Sequence, residues 1–130
     1  MNAAARMISG QRKYGHISDT LNNLHWLRVP HRTIYKVGSI SRRCLRGTGP
    51  EYLTSCLTPV GSLAGRSHLR SANRGDLLVP RTRTVKAGGS SFRTSGPTVW
   101  NSLPTDLRNI ELSDFSFASK LKTYLFDSGV

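Results

Sequence analysis

The sequence predicts an α+β fold: a small single domain or fragment, mostly short α-helices, with one β-hairpin. Three observations lead there. Pro30, Pro50, Pro97 and Pro104 each suit the first position of a helix, where the missing N–H costs nothing and φ is already close to helical. Between Leu77 and Thr94 the chain alternates as a half-exposed strand does and passes through two adjacent glycines. Leu, Ile, Val and Phe together make up 31 of the 130 residues, enough for a modest core.

In chain order, residues 1–10 read as the end of a truncated helix, since Asn2–Ser9 is alanine-rich and Gly10 supplies a C-cap. Residues 11–58 form a helical segment. Ser18 is placed to N-cap a helix through about Leu27, with Ile17, Leu21 and Leu24 on one face and Trp26 in the core. Pro30 opens the next helix and Gly47 closes it. Ile34, Val37, Cys44 and Leu45 give that helix a ragged apolar stripe, and Arg32, Lys36, Arg42, Arg43 and Arg46 a basic one. Gly38 should weaken it, at about 1 kcal/mol against alanine. From Pro50 a short helix runs to about Leu57, turning Tyr52, Leu53 and Leu57 inward.

Residues 59–75 are rich in Ser, Gly and Arg with little periodicity and read as a basic, flexible linker. Residues 76–127 hold the hairpin and the helices packed on Trp100. Leu77, Leu78 and Val79 begin the first strand, Ala87-Gly88-Gly89-Ser90 turns it, and Ser91 to Thr94 returns. Pro80 confines such a hairpin to an edge.

The stretch from Ser91 to Arg108 organises the rest. The residue before a proline is driven out of the α region, so the turn carrying Val99, Trp100 and Leu103 should end at Leu103, with a second helix starting at Pro104. Phe92, Leu103 and Leu107 are near enough in sequence to share a core with Trp100. Ser113 caps a last helix whose Phe115, Ala118, Leu121 and Leu125 face inward over Trp100.

Charge is the strongest functional signal. The formal net charge is +12, and residues 28 to 93 hold thirteen Lys and Arg against Glu51 and Asp76. Fourteen of the nineteen basic residues are Arg, which suits bidentate contact with phosphates. Arg42, Arg43, Arg46, Arg81, Arg83, Lys86 and Arg93 are the candidate nucleic-acid-binding residues. The expected partner is RNA or single-stranded DNA bound without sequence preference, since attraction to phosphates needs only charge. An anionic membrane surface is the second reading of the same asymmetry.

Catalytic chemistry has little to work with. The seven acids lie singly along the chain and include no Asp-Asp pair. Cys44 and Cys56 fit no zinc spacing, and although His25 and His31 stand at an H-x5-H interval no closely spaced cysteine pair accompanies them, so neither a metal site nor a cofactor is expected. No apolar run approaches the ~20 residues of a membrane span. The expected location is the nucleus or cytoplasm, with mitochondrial import the alternative raised by Arg6, Arg12 and Lys13 preceding the first acid, Asp19.

The strings LLVPRTRTVKAGGSSFRTSGPTVWNSLPTDLRN and FSFASKLKTYLF resemble the C-terminal, post-catalytic tail of reverse transcriptases from jockey-like, LINE-type non-LTR retrotransposons. Such tails read as a "VPR-R" strand, a glycine-containing turn, an "FS-aaP-lWNsLP-d-R" block and a closing "sF-k-LK-yLF" helix. Upstream, NAAARMISGQRKYGHISDTLNNLHWLRVPHRTIYK and RRCLRGTGPEYL resemble the same family in the same order, so the resemblance runs from about Asn2 to Phe126. It implies a non-catalytic fragment of an RNA-directed DNA polymerase that supports the polymerase or contacts template RNA. The palm aspartates that would hold two metal ions are missing, as is the CCHC knuckle that ends many of these enzymes. The resemblance starting at Asn2, in what should be mid-protein, leads to the expectation of a truncated remnant. The alternative from another class is a small interaction module, binding the parent polymerase domain or another protein through Phe117, Tyr124 and Phe126 of the last helix, or a remnant peptide with no nucleic-acid role.

Overall fold

Local capping chemistry divides the first half of the chain into helices whose ends follow their terminal residues. The computed structural model describes residues 2–83 and 91–128. Helix α1 (Asn2–Ser9) stops at Gly10, and α2 (Ser18–Asn23) begins at Ser18 itself, with Ile17 in the cap position. α2 ends short of Leu27 because His25 takes a left-handed φ of 51°. The His25 amide then donates to the Asn22 carbonyl and the Trp26 amide to that of Leu21, the paired bonds of a Schellman ending. α1 and α2 pack on each other, burying Ala5, Thr20 and Leu21.

Helix α3 (Val29–Leu45) begins at Val29, one residue before the expected Pro30, which takes its second position. At its other end Gly47, with φ of 75°, lets the Thr48 amide reach back to the Arg43 carbonyl. Two residues on, the chain passes so close over Cys44 that a Cβ on Gly49 would lie 2.6 Å from the Cys44 sulfur. Helix α4 (Glu51–Thr54) is a single turn after Pro50. Leu53 on it and Leu57 just beyond it turn toward the core, while Tyr52 is left exposed.

The expected α+β class is overturned. Of the described residues 57% are helix and 2% strand, with no sheet or hairpin among them. What stands at Leu77 is a single antiparallel bridge to Pro59. The turn at 87–90 lies outside the described residues. The proposed returning limb, Ser91–Thr94, is instead the cap and first turn of helix α6 (Phe92–Ser102), the intervening α5 being the short turn Arg70–Asn73. Gly96 has no side chain to keep the Phe92 ring off the following turn: a Cβ there would lie 3.2 Å from that ring and 3.1 Å from Leu57. As a helix the segment packs Phe92 closely over Gly96 beside Leu57. Pro97 accordingly sits inside α6 rather than at its start. Leu103 does end the helix, in extended geometry, but only a turn follows Pro104, closed by the Leu107 and Arg108 amides on the Pro104 carbonyl.

The stretch from 59 to 75 carries a 3-10 turn (Val60–Ser62) and α5, and its two ends meet. The Val60 amide donates to the Asp76 carbonyl and the Leu78 amide to the Thr58 carbonyl. The outer edge of the bridge is taken by α6: the Asn101 side chain accepts from the Leu77 amide at 2.7 Å and donates to the Leu77 carbonyl at 2.8 Å. Trp100 Nε1 donates to the Gly75 carbonyl at 3.2 Å, and Arg108 pairs with Asp76, both largely buried.

Helix α7 (Asp114–Ser128) is capped by Ser113, whose hydroxyl accepts from the Ser116 amide at 3.2 Å. α3 packs on both α6 and α7, and the core between them holds Leu27, Cys44, Leu57, Leu77, Trp100, Leu103, Leu107, Phe117, Leu121 and Leu125. Phe92 and Phe126 lie against it, partly buried. Phe115 is not a core residue and is 85% exposed. Its place is taken by Phe117, which shares a face with Leu121 and Leu125 at four-residue steps and meets Trp100 with ring centroids 6.3 Å apart. That burial also removes Phe117 from the exposed face expected to bind a protein partner.

Candidate nucleic-acid interface

Six of the seven basic candidates lie among the described residues, and they do not all stand free at the surface. Arg42 is 1% exposed and spent on structure. Its guanidinium donates to the Leu112 carbonyl and, at 3.0 Å, to the Asn109 carbonyl, lies 3.5 Å from Asp114, and stacks 4.7 Å above the Phe117 ring. Arg42 is thus corrected from a candidate ligand-binding residue to the fastening between α3 and the start of α7. Helical spacing carries the signal for this: Gly38, Ser41, Arg42 and Leu45 fall at i, i+3, i+4 and i+7, so Arg42 belongs to the same face as the small residues on which α6 and α7 rest.

Arg46 is engaged too, at 2.6 Å from Asp114, though its side chain remains 37% exposed. Partial desolvation would by itself raise the Asp114 carboxyl, but the hydrogen bond and charge of Arg46, followed by those of Arg42, outweigh it. The group is held below its ordinary value of 3.8. Arg43, Arg81, Arg83 and Arg93 are exposed and make no side-chain ion pair among the described residues. Lys86 lies outside the described residues.

A different constellation does converge. Arg32, Lys36, Ser39 and Arg43 recur along one side of α3, and Asp114, Ala118 and Lys122 face them from α7. Between the two rows run two depressions of about 450 Å³ and 480 Å³ that share Tyr35 and Lys36. The first is lined by His25, Trp26, Leu27, Arg32, Tyr35, Lys36 and Lys122, with no acidic residue in its wall. Asp114 is the one acid lining the second, where Arg42 and Arg46 already neutralise it. Arg32 is steadied by a 3.0 Å bond from its Nε to the Leu27 carbonyl. Trp26, expected in the core, is only half-buried at this rim, while the His25 ring leans on Phe126 with centroids 5.1 Å apart.

No family model, curated protein or solved structure matches this chain. Among the described residues no group of three or more His, Cys, Asp or Glu is placed to hold a metal ion, and both cysteines are free thiols. No described helix is long and apolar enough to cross a membrane.

In the sequence Trp26 reads as a core residue, and Lys122 falls outside the basic region between residues 28 and 93. Lys122 approaches Arg32 and Lys36 only through the packing of α7 on α3. Trp26 reaches them through the left-handed turn at His25.

Proposed function

We propose that the chain is a non-catalytic module from the C-terminal region of a LINE-type reverse transcriptase, and that it binds RNA and single-stranded DNA without sequence preference. The observation that carries this reading is the row of Arg32, Lys36 and Arg43 on α3 with Lys122 opposite, a cationic groove whose single lining acid is already paired. Such a groove tracks a phosphate backbone and reads no base edges. Arg81, Arg83 and Arg93 add further exposed positive charge.

The test is a salt titration of binding to a single-stranded oligonucleotide. The logarithm of the association constant should fall with the logarithm of salt by roughly 0.7 per phosphate contacted. Reversal of Arg32, Lys36 and Arg43 to Glu should flatten that slope, as should reversal of Arg81, Arg83 and Arg93. Lys120→Glu, at an exposed position outside the groove walls, should change it little. Absence of binding at low salt would discard the reading in favour of a protein-interaction module.

A further inference from the structure

The depression at the Trp26 end of the groove differs from the rest of the basic surface in holding rings as well as charges. Trp26 and Tyr35 both line it, half-buried, and His25 stands at its edge. Three cations, Arg32, Lys36 and Lys122, converge on it from two helices. The indole N–H of Trp26 has no hydrogen-bond partner among the described residues, in contrast to that of Trp100, which is satisfied by the Gly75 carbonyl. At about 450 Å³ the hollow is within the size range of small-ligand sites. His25, the left-handed residue that ends α2, forms one edge of the hollow.

We propose that this depression is a nucleobase-stacking subsite. One base of a single strand lies against Trp26 and Tyr35, and the flanking phosphates are held by Arg32, Lys36 and Lys122. The inference rests on the nucleic-acid reading above and sharpens it. A stacking subsite discriminates single strands from duplexes, whose bases are already stacked, and tolerates any base because every base has a π-face. Pure phosphate attraction supplies no such discrimination.

The test compares a short oligothymidylate with an oligonucleotide of equal length and charge that is abasic at every position, both against the intact chain. The thymidylate should bind at least about fivefold tighter, the lower end of what one stacked base contributes. It should also quench tryptophan fluorescence, and the quench should vanish in Trp26→Phe, which keeps a ring and leaves buried Trp100 as the remaining indole. Trp26→Leu, checked for retained helicity by circular dichroism, should bring thymidylate affinity down to that of the abasic strand. Equal affinity for the two oligonucleotides, or a quench that survives Trp26→Phe, would overturn the subsite while leaving the electrostatic reading intact. If neither strand binds, both readings fall.

Discussion

Asn101 holds the backbone of Leu77 by both its amide and its carbonyl, at 2.7 Å and 2.8 Å, so that one side-chain amide stands in for the neighbouring strand that Leu77 lacks. On the opposite edge Pro59 completes the bridge. Together with the Trp100 indole on Gly75 and Arg108 on Asp76, this ties the chain before residue 78 to the end of α6.

Asn101→Ala should therefore destabilise the fold by about 2 kcal/mol, since it leaves a buried amide and carbonyl without partners. Asn101→Asp should be no better than Ala, because a carboxylate accepts from the Leu77 amide but faces its carbonyl with no donor. Urea denaturation midpoints of the two variants, beside Ser102→Ala at an exposed site, check this. An Asp variant equal to wild type would show that the second bond contributes nothing.

Arg42 predicts a larger loss that charge conservation does not repair. Arg42→Ala removes the hydrogen bonds to two carbonyls, the contact with Asp114 and the cover over Phe117, for roughly 3 kcal/mol. Arg42→Lys should recover little of that, since a single ammonium group cannot span the Asn109 and Leu112 carbonyls and Asp114 together. A Lys variant with the wild-type midpoint would mean that charge alone matters there.

The Asp114 carboxyl predicts a pH dependence of definite sign. Its folded value lies below the ordinary 3.8, so its contribution is fully present above that value and is lost as pH falls through the lower, folded one. The stability difference between wild type and Asp114→Asn should accordingly be constant near neutrality and shrink in acid. Paired denaturation curves from pH 6 down to the acid limit of folding would reveal it, and a difference that grows in acid would contradict the assignment.

Gly38 offers a gain. A Cβ there would lie 3.5 Å from Leu121, 3.7 Å from Leu103 and 3.8 Å from Val99, all ordinary contact distances. Gly38→Ala should keep the helix packing and raise stability by up to about 1 kcal/mol through helix propensity. Gly38→Leu should instead wedge α6 and α7 away from α3. Thermal midpoints distinguish the two, and loss of stability in the alanine variant would show that the packing is tighter than these distances.

The helix ends were legible in the sequence wherever they are set by adjacent residues: Pro30 and Gly47 bound α3, Ser113 caps α7, and Leu103 stops α6 because Pro104 follows it. The hairpin reading rests on an apolar start at Leu77–Val79 and on alternation from Arg81 onward, signs that are compatible with a strand without being sufficient for one. A strand needs a paired edge, and the partners of Leu77 are a distant proline and a side chain on a helix. Phe115 and Phe117 illustrate a second limit. At roughly 3.6 residues per turn Phe117 shares the face of Leu121 and Leu125 while Phe115 lies about a third of a turn away, and Trp100 and Arg42, which belong to other elements, complete the burial of Phe117. The candidate interface was legible only as a surplus of positive charge. Its location depends on how α7 lies on α3, and no residue count along the chain contains that.

The closed ends of the 59–75 stretch carry one more consequence. The exposed residues between Leu63 and Arg70, among them Arg66, are accessible to a trypsin-like protease, and the core does not depend on them. A cut at Arg66 would leave α3 on one piece and α6 with α7 on the other, and each piece would expose the apolar face that the other covers. Neither half retains a core of its own, so folding becomes complementation between two peptides. The intact loop then serves chiefly as a tether, keeping two halves of one core at high effective concentration.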